Sequence, residues 1–331
     1  MKLRWIIAIL VTGTRMIIPC AAQADPATNP RPANEISVID YLRSIGGKFT
    51  VAGIHNREPN GQPALQTDRM AALAGRYPGL WSGDFLFSAD DINNRWTMIH
   101  ECRKQWQAGS IVQLMAHVAP PTQPEVCPWQ GGLLSHLSDA QWQDLVGEGG
   151  ALNRVWKSRL DGYAVYLQYL QTNGVTVLFR PLHEMNQGSF WWGGRKGPEG
   201  TGKLYRLTHD YLVGVKGLTN LVWVWDMQDM SRDFADYNPG EKYWDVLAFD
   251  VYGDGYEQSW YDYVRPIAGS KPMAIGECEK LPTPQILARE PRWCFFMSWA
   301  ELTFSGNSEA AIRALYQDPK VVTREALPRF K

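Results

Sequence analysis

The 331-residue chain lacks an excess of charge of either sign, with 33 Lys and Arg against 34 Asp and Glu. Binding to a nucleic acid or an anionic membrane rests on neutralising phosphate with surplus Lys and Arg, so neither partner is expected. Cysteine is scarce, at five, and no CxxC or Cys/His spacing suggests a metal site. No Gly-rich dinucleotide fingerprint follows the first apolar run. The one GxxxxGK match, Gly197 to Lys203, is followed by Leu204 where Ser or Thr is required, and it follows no strand-like run. No cofactor and no metal are expected. A long uninterrupted apolar segment is also missing: the hydrophobic start of the chain is broken by Thr12, Gly13, Thr14 and Arg15, too short to span a bilayer.

That same start carries Lys2 and Arg4, the apolar stretches Ile6 to Val11 and Met16 to Ile18, and the small-residue site Ala22-Gln23-Ala24. The pattern is that of a secretory signal, with residues 1–24 removed and residues 25–331 forming one domain. A lipid anchor on Cys20 is disfavoured by Pro19. Cleavage leaves 30 basic against 34 acidic residues, and the product is expected outside the cell or in the periplasm. The remaining cysteines, 102, 127, 278 and 294, are even in number, so disulfides are allowed there, and Cys102 with Cys127 is the more credible pair.

Aromatics are plentiful, with 15 Trp and 14 Tyr. Most of these rings fill a core, but exposed ones offer flat faces with a polar handle, suited to a neutral ligand such as a sugar. Eight short runs rich in Val, Ile, Phe and Trp recur: 49–55, 80–85, 111–117, 175–184, 221–227, 246–252, 272–278 and 294–301. Between several of them lie amphipathic stretches, at 66–76, 96–108, 152–172, 203–216 and 259–268. Eight strand–helix units in about 300 residues predict an α/β fold, a (β/α)8 TIM barrel, with a doubly wound sheet as runner-up. The segment from Val118 to about Gly150 is read as a long loop, where Trp129 and Trp142 could wall a cleft.

In such a barrel chemistry gathers where the strands end. There the sequence places His55 and Asn56, Asp84, His117, His183-Glu184-Met185-Asn186, Asp226, Asp250 with Tyr252, Glu277, and Trp299 with Glu301. Alternation along a strand puts Arg180, Leu182 and Glu184 on one face, Met273, Ile275 and Glu277 on another, and Asp250 with Tyr252 on a third. Both glutamates can then point into the barrel mouth, as a pair of carboxyl groups cleaving a glycosidic bond must. The residues alone also allow each to be an ion-pair partner, for instance Glu184 with Arg180. Trp223 and Trp225 lie mid-strand and are expected in the core.

The run Arg180-Pro181-Leu182-His183-Glu184-Met185-Asn186, then Phe190-Trp191-Trp192-Gly193, Asn238-Pro239-Gly240, Asp245 to Tyr252, and Ile275-Gly276-Glu277 resemble glycoside hydrolase family 26, best known for β-mannanases. The resemblance implies a retaining (β/α)8 hydrolase with Glu184 as acid/base and Glu277 as nucleophile. By the same resemblance His117, His183, Trp192, Asp250, Tyr252 and Trp299 bind substrate, and Tyr252 hydrogen-bonds the nucleophile. The implied activity is endo-hydrolysis of β-1,4-mannan, with a β-glucanase (lichenase), a β-1,3-xylanase or a non-catalytic carbohydrate-binding barrel as alternatives; a barrel with a complete core needs no partner, so a monomer is expected. Two departures bear on substrate: Gln187-Gly188-Ser189 replaces a Gly-x-Trp type of run, and Cys278-Glu279 follows the nucleophile where small residues are usual.

Overall fold

The computed structural model describes residues 35–331 apart from 254, so the expected signal segment lies outside the described residues. Eight parallel strands carry the architecture: β1 Thr50–His55, β2 Leu80–Asp84, β3 Ile111–Ala116, β4 Val177–Pro181, β5 Leu221–Gln228, β6 Val246–Val251, β7 Met273–Cys278 and β8 Trp293–Ser298. Each pairs with the next, and β1 pairs with both β8 and β2, which closes the barrel. A two-residue strand, β9 Val321–Val322, lies parallel to β1 at Thr50 and Val51, just before the β1–β2 ladder begins at Gly53. It thereby pairs backbone groups that β2 does not reach.

Two apolar layers sit on either side of the barrel wall. Inside, Val51, Leu80, Ile111, Met115, Leu178, Val224, Ala248, Ala274, Phe295 and Met297 pack together. The helix Val38–Ile45, which precedes β1, adds Val38, Leu42 and Ile45 to that cluster and closes the amino end. Outside, alternate strand residues such as Ile54, Trp81, Phe179, Trp223, Trp225 and Phe249 meet the helical layer, so Trp223 and Trp225 are core residues. The helices Leu65–Ala74, Arg95–Gln107, Ala151–Thr172, Thr201–Asp210 and Gln258–Ala268 lie where the amphipathic stretches fall, the fourth running on as a π turn over Tyr211–Val215.

Several readings are corrected. The segment 118–150 holds the helix Asp139–Val146, started by a capping box between Ser138 and Gln141, and Trp142 is buried with its indole N–H on the Glu199 carbonyl. Cys102, Cys127, Cys278 and Cys294 are all free and buried, so the Cys102–Cys127 bridge is not made: both thiols sit in the apolar layer outside the barrel as small hydrophobes. Among the described residues no helix is long and apolar enough to cross a membrane.

Candidate active site at the carboxyl end of the barrel

Above the apolar interior the strand ends become polar. Arg180 on β4 is fully buried in the barrel. Its Nε donates to Asp226 Oδ2 at 2.7 Å and its Nη1 to Glu277 Oε2 at 2.9 Å, while Nη2 pairs with Asp250. Three strands, β5, β6 and β7, are thus tied to one guanidinium. A buried charge needs partners of this kind, and three carboxylates around one cation leave negative charge in excess. Burial accordingly pushes the Asp250 carboxyl well up against the pull of Arg180, with Asp226 and Glu277 adding to the rise.

Glu184 does not arrive by strand alternation. β4 stops at Pro181, which has no N–H to continue the ladder, and Leu182 and Glu184 both take positive φ, 52° and 50°. Non-glycine residues hold this conformation only where neighbours impose it. Here Asp226 imposes it: its Oδ1 accepts the Glu184 N–H at 2.9 Å while Oδ2 holds Arg180. The alternation argument fails for β7 as well. Met273 and Ile275 face the helical layer, and an irregularity in the β6–β7 and β7–β8 pairing turns Glu277 inward beside Gly276. Gly276 is required there, since a Cβ would lie 2.5 Å from Asp226 Oδ2 and 2.6 Å from Asp250 Oδ1.

The two glutamates end in different surroundings. Glu277 receives the Tyr252 hydroxyl at 2.6 Å on Oε1 and Arg180 on Oε2. Among the described residues no cation pairs with Glu184; the Gln187 amide donates to its Oε2. Burial raises both carboxyl groups, Glu184 well above the usual range with Glu277 and Asp226 adding to it, whereas at Glu277 the charge of Arg180 and hydrogen bonds from Tyr252 and Arg180 pull the other way. The two carboxyl groups thus differ in environment: a guanidinium and a hydroxyl favour the ionised form of Glu277, and Glu184 has neither. Single oxygens of Glu184, Asp250 and Glu277 all lie within 4.8 Å of one another. This set does not fit a cation, because Arg180 already holds Asp250 and Glu277 and would face the ion with its own charge.

The remaining expected residues sit at other strand ends and in the loops that follow them. His117 at the end of β3 is held by Asp84, whose oxygens take its backbone N–H at 3.0 Å and its Nδ1 at 2.5 Å. Asp84 is fully buried, which alone would raise its carboxyl, yet His117 and His55 keep it well below the usual range. Trp299 stacks on His55 with ring centroids 4.3 Å apart. His183 is enclosed by His117, Phe190 and Trp192, and burial drives its pKa well below the ordinary histidine value. Trp192 is fully buried, stacked on Phe190 at 4.4 Å with its indole N–H on the His183 carbonyl at 2.9 Å. It braces the wall from behind. An open cleft of about 320 Å³ continues from His117 and Trp299 past Leu86 and Phe87 to exposed Trp129, with Arg57 at its rim bridged to Glu301 at 2.8 Å. Arg180 and Asp226 as organisers, Asp84 behind His117, and Gln187 on Glu184 are roles that sequence reasoning did not assign, although Asp84 and Asp226 stand among the polar strand ends.

The profile of "Glycosyl hydrolase family 26" matches residues 28–326. The chain belongs to glycosyl hydrolase family 26. Among curated members, a mannan endo-1,4-beta-mannosidase of Thermothelomyces thermophilus is 31% identical over 89% of this chain and 61% of its own length. Mannan endo-1,4-beta-mannosidase A and B of Caldalkalibacillus mannanilyticus is 30% identical over 92% of this chain and 63% of its own. The family 26 chain therefore spans about three fifths of these two relatives. Among solved structures, GH26A from Muricauda sp. superposes with a TM-score of 0.84 at 34% identity, covering 89% of this chain and 99% of that one. A beta-mannanase from a symbiotic protist of the termite Reticulitermes speratus, complexed with gluco-manno-oligosaccharide, gives 0.76 at 25% identity, covering 93% and 98%. The (β/α)8 barrel of this family 26 chain is shared with both.

Proposed function

We propose that the protein cleaves β-1,4-mannosidic bonds within β-mannan, with retention of configuration, by double displacement. The carrying observation is the glutamate pair: single carboxyl oxygens lie within 4.8 Å, burial raises Glu184 well above the usual range, and Glu277 lies beside Arg180 and Tyr252, which favour its ionised form. Retaining glycosidases hold their two carboxyl groups about 5 to 5.5 Å apart, whereas inverting ones leave room for a water at about 6.5 to 9.5 Å. Glu277 attacks the anomeric carbon while Glu184 gives its proton to the departing glycosidic oxygen. Transfer of that proton leaves Glu184 a carboxylate, which then takes one from the water that breaks the glycosyl–Glu277 bond. His117, Trp299 and Trp129, along the open cleft, supply the hydrogen bonds and the flat faces that seat the sugar chain. Mannan as the substrate class rests on the names of the relatives, and export rests on the pattern of residues 1–24.

The test is reducing-sugar release from galactomannan, lichenan and xylan by residues 25–331 and by Glu184→Gln, with the product anomer followed by NMR. Release from galactomannan as the β-anomer first, abolished in the variant, is the expected result. Activity confined to lichenan or xylan overturns the substrate, and first release of the α-anomer overturns the retaining mechanism.

A further inference from the structure

Gln187 stands where the family resemblance leads one to expect a Gly-x-Trp type of run, and the structure places it against the acid/base. Both ends of its carboxamide are bonded, and its backbone is fixed beside them. The Gln187 backbone N–H donates to the Glu184 carbonyl at 3.0 Å, closing a tight turn. The side-chain Oε1 accepts the Ser189 backbone N–H at 3.1 Å, and that donor can only face an oxygen, so the NH2 end must face Glu184. There Nε2 donates to Glu184 Oε2. Gly193 packs so closely on the Gln187 carbonyl, with a Cβ at 2.2 Å, that nothing larger than glycine fits behind the turn.

We propose that Gln187 is a positioning residue for the acid/base: its amide occupies Glu184 Oε2 as an acceptor, so the proton delivered to the leaving oxygen is carried on Oε1. This rests on the reading of Glu184 as acid/base given above. An oxygen that already accepts an N–H is the poorer site for a proton, so the two oxygens of a symmetric carboxyl group become distinct. The same bond favours the ionised form of Glu184 and opposes the rise caused by burial, Glu277 and Asp226. The other groups facing Glu184 come from each neighbouring strand: Arg180 on β4, Asp226 on β5, Asp250 on β6 with Tyr252 just beyond it, and Glu277 on β7.

Removing the amide therefore has a defined sign. In Gln187→Met the protonated form of Glu184 persists to higher pH, and the alkaline limb of kcat/KM moves up by about one pH unit, roughly the effect of one hydrogen bond on a carboxylate. On β-mannan kcat falls about tenfold, since part of the acid catalysis is lost with the misplaced proton. On an aryl β-mannoside with an acidic phenol, which needs no proton to leave, the first chemical step changes by no more than about twofold. Gln187→Glu has the same size and sets a second carboxylate against Glu184, moving the limb up further, and it carries the test if Gln187→Met does not fold.

A readout without turnover completes the experiment: the Glu184 carboxyl is titrated by 13C NMR in protein labelled at glutamate, with its resonance assigned by its loss in Glu184→Gln. A rise in its titration midpoint in either variant, together with the substrate-dependent loss, supports the proposal. An unmoved midpoint and limb, or equal losses on β-mannan and the aryl mannoside, overturns it. Inactivity of the parent protein on every mannoside with the NMR shift present overturns the functional reading above and leaves the Gln187–Glu184 coupling intact.

Discussion

Arg180 is fully buried and its donors reach Asp226, Asp250 and Glu277 on three successive strands. A planar fork of fixed donors suits three acceptors in a way a lysine ammonium does not. Arg180→Met would leave three carboxyl groups in the barrel without a cation, and a loss of about 3–5 kcal/mol is expected in urea unfolding, the usual cost of orphaning a buried charge. Tyr252 acts on one of the same groups from outside the barrel. Its hydroxyl bond to Glu277 favours the ionised carboxylate, so under the proposed roles Tyr252→Phe raises the Glu277 pKa and moves the acid limb of kcat/KM to higher pH, while the alkaline limb assigned to Glu184 stays in place. A pH–rate profile in which both limbs move together would contradict this assignment. The residues themselves were legible, because Arg180, Glu184, Tyr252 and Glu277 sit in motifs read directly from the chain. The partner of Arg180 was not, since nothing in sequence spacing says that it passes by Glu184 and takes Glu277, 97 positions away.

Elements carry the functional groups with less regularity than a period of two suggests. On β7 the inward set is Ala274 and Gly276, and Glu277 joins it only through the irregular pairing with β6 and β8. Gly276→Ala forces a methyl group into van der Waals overlap with Asp226 Oδ2, Asp250 Oδ1 and the Ala248 Cβ. A stability loss of about 1–3 kcal/mol is expected from overpacking of this kind, accompanied by a drop in kcat as Glu277 is displaced. Wild-type turnover in Gly276→Ala would show that the bulge does not set the position of Glu277. The helix Asp139–Val146 shows the opposite case, a legible signal that went unused: Ser138 with Gln141 three positions on is a capping box, and only the surrounding Pro and Gly residues made the segment read as loop. The short strand β9 had little signal of its own, whereas the helix Val38–Ile45 carried one that went unread: Ser37 caps its start, and Val38, Leu42 and Ile45 recur at helical spacing to cover the barrel's amino end.

For the molecule as a whole, burial of histidine at the barrel mouth links stability to pH. Burial lowers His55 to about 3 and drives His183 well below its ordinary value. Between about pH 6.5 and 3 the unfolded chain binds a proton at His55 and the native chain does not, so acidification removes stability at up to about 1.4 kcal/mol per pH unit there, and His183 acts in the same direction. Glu184 contributes with the opposite sign, because its raised carboxyl takes up a proton in the native state first. The histidine part is isolated by comparing slopes: unfolding free energy against pH should be flatter for His55→Gln than for wild type between pH 6 and 4. Parallel slopes would mean that His55 is protonated in the folded protein.

Fold class follows from the sequence by itself, and so does the placing of Glu184 and Glu277 at the ends of β4 and β7. Eight apolar runs with amphipathic stretches among them can bury both faces of a parallel sheet in few ways, and a run of seven specific residues around Glu184 is dense local information. Tertiary structure alone decided how the groups work. Whether a carboxyl group is acid or carboxylate depends on burial and on which cation reaches it, and Arg180, Tyr252, Asp226 and Gln187 reach their partners through a closed barrel, a bulge and two positive-φ residues. The disulfide that cysteine number and compartment allowed was likewise settled in space, where Cys102 and Cys127 lie unbonded in an apolar layer. Local sequence specifies residue types and periods; the electrostatic state of a buried group is a sum over neighbours that only the folded chain brings together.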